Sequence, residues 1–463
     1  MIYVRLSRDL KVLREVYVVV VVSVLSRVAS ALVLMLAVST PYVLFADNSY
    51  GEGVHEEFVF VDVARVLQSS IVSEGYFETP INYSEPHYIQ AVKLAKVGGD
   101  VVVEHSGNRT LLKILTAEGA TGYVVLNVSL TRNTCRELGI VAQALYALNI
   151  TKVPVEALIC MLLEGYEVSD LPPDTYRGNA TSKYVMQPNR RVVEVVVPRF
   201  EGWLRERLPP NYSIADAPRT YVAVWAAYYV YGGYLIRYEA SSTPRSLDEV
   251  LEKWKGDCDD MSRVLLNLLW YYGVPAKIQY GYVYIESFDY LSDFYGSLTR
   301  FVNAGPHAYV VSYVPNVGWV SVDLLAWARL IYPTLITGET TYANMSVEEL
   351  KAIEDEYSAF RYVELVEVHE ASRVPDALAK AIDSGNLLPR LEELVVGTPQ
   401  AVESITTTTL TETPALETSS DATAATPRTG SGAGPAMAAL LLAVPLILAI
   451  AVLFKVTVSR KTA

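Results

Sequence analysis

Hydrophobic and polar positions change their spacing several times along the first half of the chain, and this spacing predicts the elements. Short apolar runs typical of strands occur at residues 58–61, 101–104 and 123–128. Apolar residues at helical spacing cover residues 135–148 and 155–163. The mixture predicts an N-terminal α/β domain over residues 47–190, and no motif in it indicates a function.

Two consecutive helices are predicted in the middle of the chain. Residues 246–249, Ser-Leu-Asp-Glu, have the form of a capping box, which predicts a short helix from 247 to about 254. Asp257 can cap the next helix, whose apolar residues recur at helical spacing: Met261, Val264, Leu265, Leu268 and Tyr272. Gly273 is a stop signal for it. Cys258 therefore lies in the first turn of a buried helix, where free N–H groups and the helix dipole favour a thiolate.

After this helix the pattern becomes that of antiparallel strands. Residues 277–285, KIQYGYVYI, alternate as a strand does, and an irregular stretch follows. A second strand is predicted from 307 to 314, then a Pro-Asn-Val-Gly turn and a third strand from 319 to about 324. His307 opens one strand of this hairpin and Asp323 lies near the end of the other, so the pairing brings the two residues together.

The register of this hairpin decides whether the two side chains share a face of the sheet. A plain two-residue turn would set Asp323 opposite Val310, on the face away from His307, because side chains alternate with a period of two. A loop with an odd number of residues, or a bulge at Gly318, would shift Asp323 by one position onto the same face as His307. We therefore expect an odd loop or a bulge.

Both ends of the chain are apolar. Residues 1–46 are predicted to be a signal peptide or an N-terminal membrane anchor, and both alternatives stay open because Arg27 interrupts the apolar run. Residues 434–456 contain an uncharged run long enough to span a bilayer and are predicted to be a transmembrane helix. Basic residues follow, so residues 457–463 are expected to be a cytoplasmic tail and the preceding part of the chain to lie outside the cell.

Two further features agree with an extracellular location. Residues 398–433 are rich in Thr, Ser, Ala and Pro, which predicts an extended stalk between a helical extension at 336–397 and the membrane. Seven Asn-x-Ser/Thr sequons lie between the apolar ends: Asn82, Asn108, Asn127, Asn149, Asn179, Asn211 and Asn344. Some sequons arise by chance, but seven favour a glycoprotein.

Composition narrows the functional classes. The chain has 463 residues and a formal net charge of −13, which argues against nucleic acid as a partner. Of its 3 cysteines at least one is left unpaired. Outside the cell Cys135 and Cys160 could form a disulfide; the alternative is two buried free thiols.

The acidic residues around Cys258 raise the question of a metal. Asp257, Asp259 and Asp260 are adjacent in sequence, an arrangement that suits the N-terminus of a helix better than one coordination sphere. The other histidines show no metal-binding spacing. We therefore expect no metal and no cofactor.

Five motifs occur in a fixed order around these elements: Gly256-Asp-Cys-Asp-Asp260, Gly273-Val-Pro-Ala276, Gly281-Tyr282, His307-Ala-Tyr309 and Gly318-Trp-Val-Ser-Val-Asp323. This order resembles the transglutaminase-like superfamily over about residues 190–335. The resemblance implies Cys258 as nucleophile, His307 as base and Asp323 as the carboxylate that orients the imidazole. Tyr309 and Lys277 depart from that pattern, which has Trp and Arg there, and we expect them to change the wall of the site rather than its chemistry.

The resemblance also implies a fold. We expect an α+β protein with a papain-like transglutaminase core at residues 191–335, in which N-terminal helices and the helix that begins at Cys258 pack on an antiparallel sheet carrying His307 and Asp323. The N-terminal α/β domain and the C-terminal transmembrane helix would be additions to this core.

The function that follows is a cell-surface cysteine enzyme that acts on peptide or carboxamide bonds through a Cys258 thioester. Attack by water on the thioester gives hydrolysis, and attack by an amine gives a crosslink. The expected partners are a protein or peptide substrate at the cell surface and the membrane. The alternative is a non-catalytic transglutaminase-like module with a binding or structural role.

Overall fold

The computed structural model describes residues 53–70, 75–106, 109–163, 183–209, 212–241, 243–315 and 317–392. The predicted N-terminal signal or anchor, the stalk, the transmembrane helix and the cytoplasmic tail lie outside these residues. Within the described residues, no helix is both long enough and apolar enough to cross a membrane.

The strands, in chain order, are β1 (Val54–Ser69), β2 (Gly75–Tyr76), β3 (Tyr83–Glu85), β4 (Tyr88–Gly99), β5 (Val101–Ser106), β6 (Arg109–Ile114), β7 (Thr121–Arg132), β8 (Arg237–Tyr238), β9 (Lys255–Gly256), β10 (Ala276–Phe294), β11 (Ser297–Val314), β12 (Gly318–Ser321), β13 (Thr334–Thr340) and β14 (Phe360–Glu370). The main sheet has the order β13-β10-β11-β14-β1-β7-β4-β3, and β12 pairs with β11. Adjacent strands in this sheet are antiparallel, except that β11 and β14 run parallel to each other. The sheet is therefore shared between the predicted catalytic segment, the segments before it and those after it.

The helices, in chain order, are α1 (Cys135–Tyr146), α2 (Val155–Leu163), α3 (Arg190–Arg205), α4 (Arg219–Tyr231), α5 (Leu247–Lys253), α6 (Cys258–Tyr271), α7 (Val347–Ala359), α8 (Asp376–Ser384) and α9 (Leu388–Leu391). Helix α6 packs on α3, α4, α5 and one face of β10 and β11, in the largest hydrophobic cluster of the described residues. Burial of this helix holds its N-terminal residue, Cys258, in a fixed place relative to the sheet.

Both predicted helices in the middle of the chain are present, with the predicted caps. The Ser246 hydroxyl accepts the N–H of Glu249 at the start of α5. Asp257 is the N-cap of α6, and Gly273 follows that helix with φ +66°, a conformation that glycine adopts without strain. Local capping chemistry thus places the first turn of α6 where the sequence predicts it.

The hairpin of β11 and β12 has the predicted odd loop. Val314 pairs with Gly318, which leaves an odd number of residues between them, and Gly318 has φ +111°. Beyond the end of β12 the same register continues, because the Val322 N–H donates to the Val310 carbonyl over 3.0 Å. Asp323 is consequently on the same face of the sheet as His307, as the triad requires.

Hydrogen bonds join the two ends of the main sheet, the β3–β4 end and the β13 end. The Ile81 N–H donates to the Ile336 carbonyl over 2.9 Å, and the Tyr88 hydroxyl donates to the Thr334 carbonyl over 2.6 Å. Both donors lie at the β3–β4 end of the sheet, and both acceptors lie in β13 at the other end. Aromatic and aliphatic side chains fill the space between them, among them Phe58, Phe60, Tyr282 and Phe301.

Two stretches differ from the predicted elements. Strands β10 and β11 continue through residues 286–306, predicted to be irregular, because they pair with each other beyond a bulge between Tyr284 and Asp289. The prediction of helices throughout 336–397 is wrong at Phe360–Glu370, which is strand β14. Its residues Val363, Leu365, Val366 and Val368 are buried between β1 and β11, and β-branched residues suit such a surface.

Cys135 and Cys160 form a disulfide, with Cα atoms 5.0 Å apart. The bond joins the first residue of α1 to α2, and both cysteines are buried. The structure thereby decides between the two alternatives left open by the sequence, and Cys258 is the free cysteine.

Candidate active site

Cys258 is presented by the first turn of α6. A capping box holds this turn: the Asp260 N–H donates to the Asp257 carboxylate over 3.5 Å, and the Asp257 N–H donates to the Asp260 carboxylate over 3.3 Å. Cys258 itself is half-buried, between a buried helix and solvent. The first N–H groups of a helix have no partner within the helix, so the sulfur lies beside donors that favour negative charge.

His307 and Asp323 are hydrogen-bonded across the hairpin. The imidazole Nε2 donates to the Asp323 carboxylate over 3.0 Å, and both side chains are buried. The carboxylate also accepts the N–H of Leu325 over 3.2 Å and that of Ala328 over 2.9 Å. These contacts fix the carboxylate, so it fixes the orientation of the imidazole.

The imidazole of His307 is held in its protonated form. Burial lowers its pKa, but the charge of Asp323, its hydrogen bond, and the interaction with the Cys258 thiol outweigh burial and raise the pKa to about 10. A hydrogen bond with the Cys258 side chain is one cause of this rise, so the two side chains are neighbours. Because Nε2 is hydrogen-bonded to Asp323, Nδ1 is the ring nitrogen available to Cys258.

Residues 210–324 match the family model described as the Transglutaminase-like superfamily, and this range contains Cys258, His307 and Asp323. The chain contains a transglutaminase-like domain. Strands β1 to β7 precede the domain and form an additional N-terminal sheet region.

A crystal structure from Cytophaga hutchinsonii, named "Putative Cysteine Protease", aligns with 69% of this chain and 92% of its own chain. The identity is 11% and the TM-score is 0.36. The curated proteins searched contain no match to this sequence.

The acidic residues at the start of α6 are close enough to one another to hold an ion, but arginines already bind them. Arg245 contacts Asp260 at 2.9 Å, and Arg263 contacts Asp260 at 3.1 Å as well as Asp259. Burial and the hydrogen bond with Asp259 raise the pKa of Asp257. These ion pairs link Asp259 and Asp260, which follow Cys258 in α6, to Arg245 and Arg263. The guanidinium groups supply the positive charge that an ion would bring.

Of the two departures from the family pattern, Tyr309 contacts a residue of the site. Tyr309 is fully buried, and its ring stacks on His307 with centroids 5.7 Å apart and planes 13° apart. Lys277 is buried against Glu339, with a 2.7 Å ion pair, and its ammonium lies 4.3 Å from the centroid of the Trp319 ring. The expectation that these residues change the wall of the site thus fits Tyr309, which contacts His307, while Lys277 contacts Glu339 and Trp319 instead.

Two buried hydroxyls that the sequence analysis missed connect the helix to the His307 strand. The Ser262 hydroxyl donates to the Ala308 carbonyl over 3.0 Å, and the Tyr231 hydroxyl lies 2.9 Å from Ser262. Ser262 is one turn after Cys258 on α6, and Ala308 is next to His307 in sequence. A serine in an otherwise apolar helix face, four residues after the cysteine, was the signal available in the sequence.

Proposed function

We propose that this chain is a thiol acyl-transfer enzyme that acts on peptide or carboxamide bonds outside the cell. The observation that carries the proposal is the 3.0 Å hydrogen bond between His307 and Asp323 beside a half-buried thiol at a helix N-terminus. A nucleophile, a proton carrier and an orienting carboxylate are the groups that acyl transfer needs.

The first chemical step would form a thioester. The Cys258 thiolate attacks the carbonyl carbon, and the carbonyl oxygen becomes an oxyanion that the first N–H groups of α6 can stabilise. The C–N bond then breaks, and the His307 imidazolium gives its proton to the leaving amine. The enzyme holds the acyl group on sulfur, and His307 is neutral.

The second step would release the acyl group. Water or an amine attacks the thioester, neutral His307 takes the proton of the attacking group, and the Cys258 thiolate leaves. Water gives a carboxylic acid and an amine gives a new amide, so one site accounts for either hydrolysis or crosslinking. The competing interpretation, a non-catalytic binding or structural module, requires a Cys258 that does not react.

An extracellular location is part of the proposal. The Cys135–Cys160 disulfide favours an oxidising compartment. Four sequon asparagines lie in the described residues, and all four are exposed: Asn82, Asn127, Asn149 and Asn344. With the apolar C-terminal segment as a single-pass anchor, the enzyme would work on substrates at the cell surface.

Protease treatment of intact cells tests this location. The expected result is release of a soluble fragment that contains the transglutaminase-like domain, because cleavage in the 398–433 stalk would separate it from the anchor. Recovery of the domain only from the cytoplasm would end the topological proposal. Removal of N-glycans from the released fragment should reduce its mass if the exposed sequons are occupied.

Labelling with a peptide-based thiol probe, such as a peptidyl vinyl sulfone, tests the chemistry. We expect a covalent adduct on Cys258 and on no other residue, detected by mass spectrometry of the intact folded protein. A Cys258→Ala variant should keep the fold and lose the adduct together with any turnover. A folded wild-type protein without an adduct, or a Cys258→Ala variant with full activity, would favour the binding-module alternative.

A further inference from the structure

The segment that carries Asp323 is held by residues that precede the transglutaminase-like domain. After β12 the chain continues as a loop to β13, and residues at the end of β7 and the start of α1 bind its backbone. The Arg132 guanidinium donates to the Ile331 carbonyl over 3.0 Å, and the Thr134 hydroxyl donates to the Leu330 carbonyl over 2.9 Å. Neither donor lies within the 210–324 segment.

Glu137 makes the deepest of these contacts. It lies in the first turn of α1, is fully buried, and accepts the Ser321 N–H over 3.1 Å. Its other carboxylate oxygen lies 3.3 Å from the Arg329 guanidinium, which is also fully buried. Arg329 in turn donates to the Trp319 carbonyl over 3.0 Å, so the ion pair holds β12 on one side and the following loop on the other.

A short path of hydrogen bonds leads from this ion pair to Asp323. The Ser321 hydroxyl accepts the Asp323 N–H over 3.4 Å and donates to the Ala328 carbonyl over 2.9 Å. The Ala328 N–H then donates to the Asp323 carboxylate over 2.9 Å. Residues 321–328 thus form a closed turn around Asp323, and Glu137 holds the residue at which that turn begins.

The negative charge of Glu137 compensates a buried positive charge, so its removal is expected to disturb the structure around it. Arg329 is fully buried and stays cationic, so the Glu137 carboxylate is the negative charge that balances it in the interior. Loss of one member of a buried ion pair leaves an uncompensated charge, and the surrounding segment moves to solvate it. Such a movement would begin at β12 and the loop that carries Asp323.

We propose that Glu137 is a positioning residue: through Ser321 and Arg329 it holds Asp323 at hydrogen-bond distance from His307. The N-terminal region thereby completes a site whose reacting groups all belong to the transglutaminase-like domain. The inference rests on the proposed function, because it assigns Glu137 a role in activating Cys258.

The rate of Cys258 alkylation by iodoacetamide, measured as a function of pH on the full folded chain, tests this role without a known substrate. Glu137→Gln keeps the shape of the side chain and removes its charge. A weaker imidazolium stabilises the thiolate less, so we expect alkylation at pH 6 to be slower than in wild type. The alkaline limb of the profile should move to lower pH.

Glu367→Gln is the matched control. Glu367 is likewise fully buried and is bound by an arginine, Arg390, at 2.9 Å, but its partners belong to β14 and α9 rather than to the Asp323 loop. It should lose stability as Glu137→Gln does and keep the wild-type alkylation profile. Equal profiles for wild type and Glu137→Gln would overturn the inference, and so would equal displacement of the profile in both variants.

Ser321→Ala decides the question if Glu137→Gln does not fold. It removes only the hydroxyl between Asp323 and Ala328, and we expect the same direction of change with a smaller size; a wild-type profile in this variant would then overturn the inference. Failure of the proposed function gives a different result, because the wild-type Cys258 would itself alkylate as an ordinary thiol with a pKa of about 8.5.

Discussion

His307 donates from Nε2 to Asp323 over 3.0 Å, and this bond leaves Nδ1 as the ring nitrogen available to Cys258. Burial acts to lower the pKa of His307, yet Asp323 and Cys258 together raise it to about 10. A cationic imidazole beside a thiol at a helix N-terminus stabilises the thiolate by charge. The proposed proton donor, the His307 imidazolium, is therefore present at neutral pH.

Replacement of Asp323 by asparagine, Asp323→Asn, should move the alkaline limit of activity to lower pH. The imidazolium is needed to protonate the leaving amine, and it is lost as the pH rises through the His307 pKa of about 10. The new amide would keep a hydrogen-bond acceptor but lack the charge that raises this pKa. Activity should fall without disappearing, since the imidazole is still present. A pH–rate profile whose alkaline limb does not move would show that Asp323 has no electrostatic effect on His307.

Glu364 predicts a pH dependence of stability that is unrelated to activity. Burial and the charge of Glu78 raise its pKa from 4.5 to about 7, against the lowering effect of the Thr299 hydrogen bond. The folded state therefore binds this proton more tightly than the unfolded chain does. Its contribution to stability is complete below about pH 4.5 and is lost as the pH rises toward 7.

Glu364→Gln should remove this dependence. Relative to wild type, the variant should gain stability as the pH rises from about 4.5 to about 7, as measured by urea unfolding across that window. Asp62→Asn, on the neighbouring strand, should act in the same direction, because burial and Glu364 raise the pKa of Asp62. A difference between variant and wild type that is constant with pH would contradict the shift.

Tyr309→Phe should leave the site intact and the protein at least as stable. The Tyr309 ring stacks on His307, but its buried hydroxyl has no hydrogen-bond partner among the described residues. An unsatisfied buried hydroxyl costs about 1–3 kcal/mol, so its removal should raise the free energy of unfolding by about 1 kcal/mol. Denaturant unfolding measures the gain in the free energy of unfolding. Labelling of Cys258 by the thiol probe shows whether the site is intact. A clear loss of stability would mean that the hydroxyl has a partner.

The disulfide predicts which thiols react. In the native protein iodoacetamide should label Cys258 alone, and after reduction and unfolding it should label Cys135 and Cys160 as well. Replacement of both paired cysteines by Ala should lower the free energy of unfolding by about 3 kcal/mol, since the bond closes a loop with a sequence separation of 25 residues. Labelling of Cys135 or Cys160 without reduction would show that the two do not pair.

The features that the sequence predicted are those set by neighbouring residues. Capping of α6 depends on Asp257 and Asp260, three positions apart, and the hairpin depends on the loop before Gly318. The odd loop could be inferred because the chemistry demanded that His307 and Asp323 share a face. Turns and caps are local, and their residues carry the signal themselves.

The features that escaped prediction depend on pairs far apart in the chain. Strand β14 lies parallel to β11 and beside β1, and no residue near Phe360–Glu370 indicates those neighbours. Glu137 meets Ser321 across a separation of 184 residues, so in the sequence it has the pattern of an ordinary polar position in an amphipathic helix. Burial and pairing at such distances are tertiary properties, and they determine which polar residues support the site.

The central claim is that His307 activates Cys258 as a nucleophile. The most direct test is the rate of Cys258 alkylation by iodoacetamide at about pH 6 in wild type and in His307→Ala, relative to each protein's rate at high pH. An ordinary thiol with a pKa of about 8.5 is less than about 1% ionised at that pH. Wild type should react at a large fraction of its high-pH rate, and His307→Ala should fall to the ordinary-thiol rate. Identical profiles, both those of an ordinary thiol, would contradict the account.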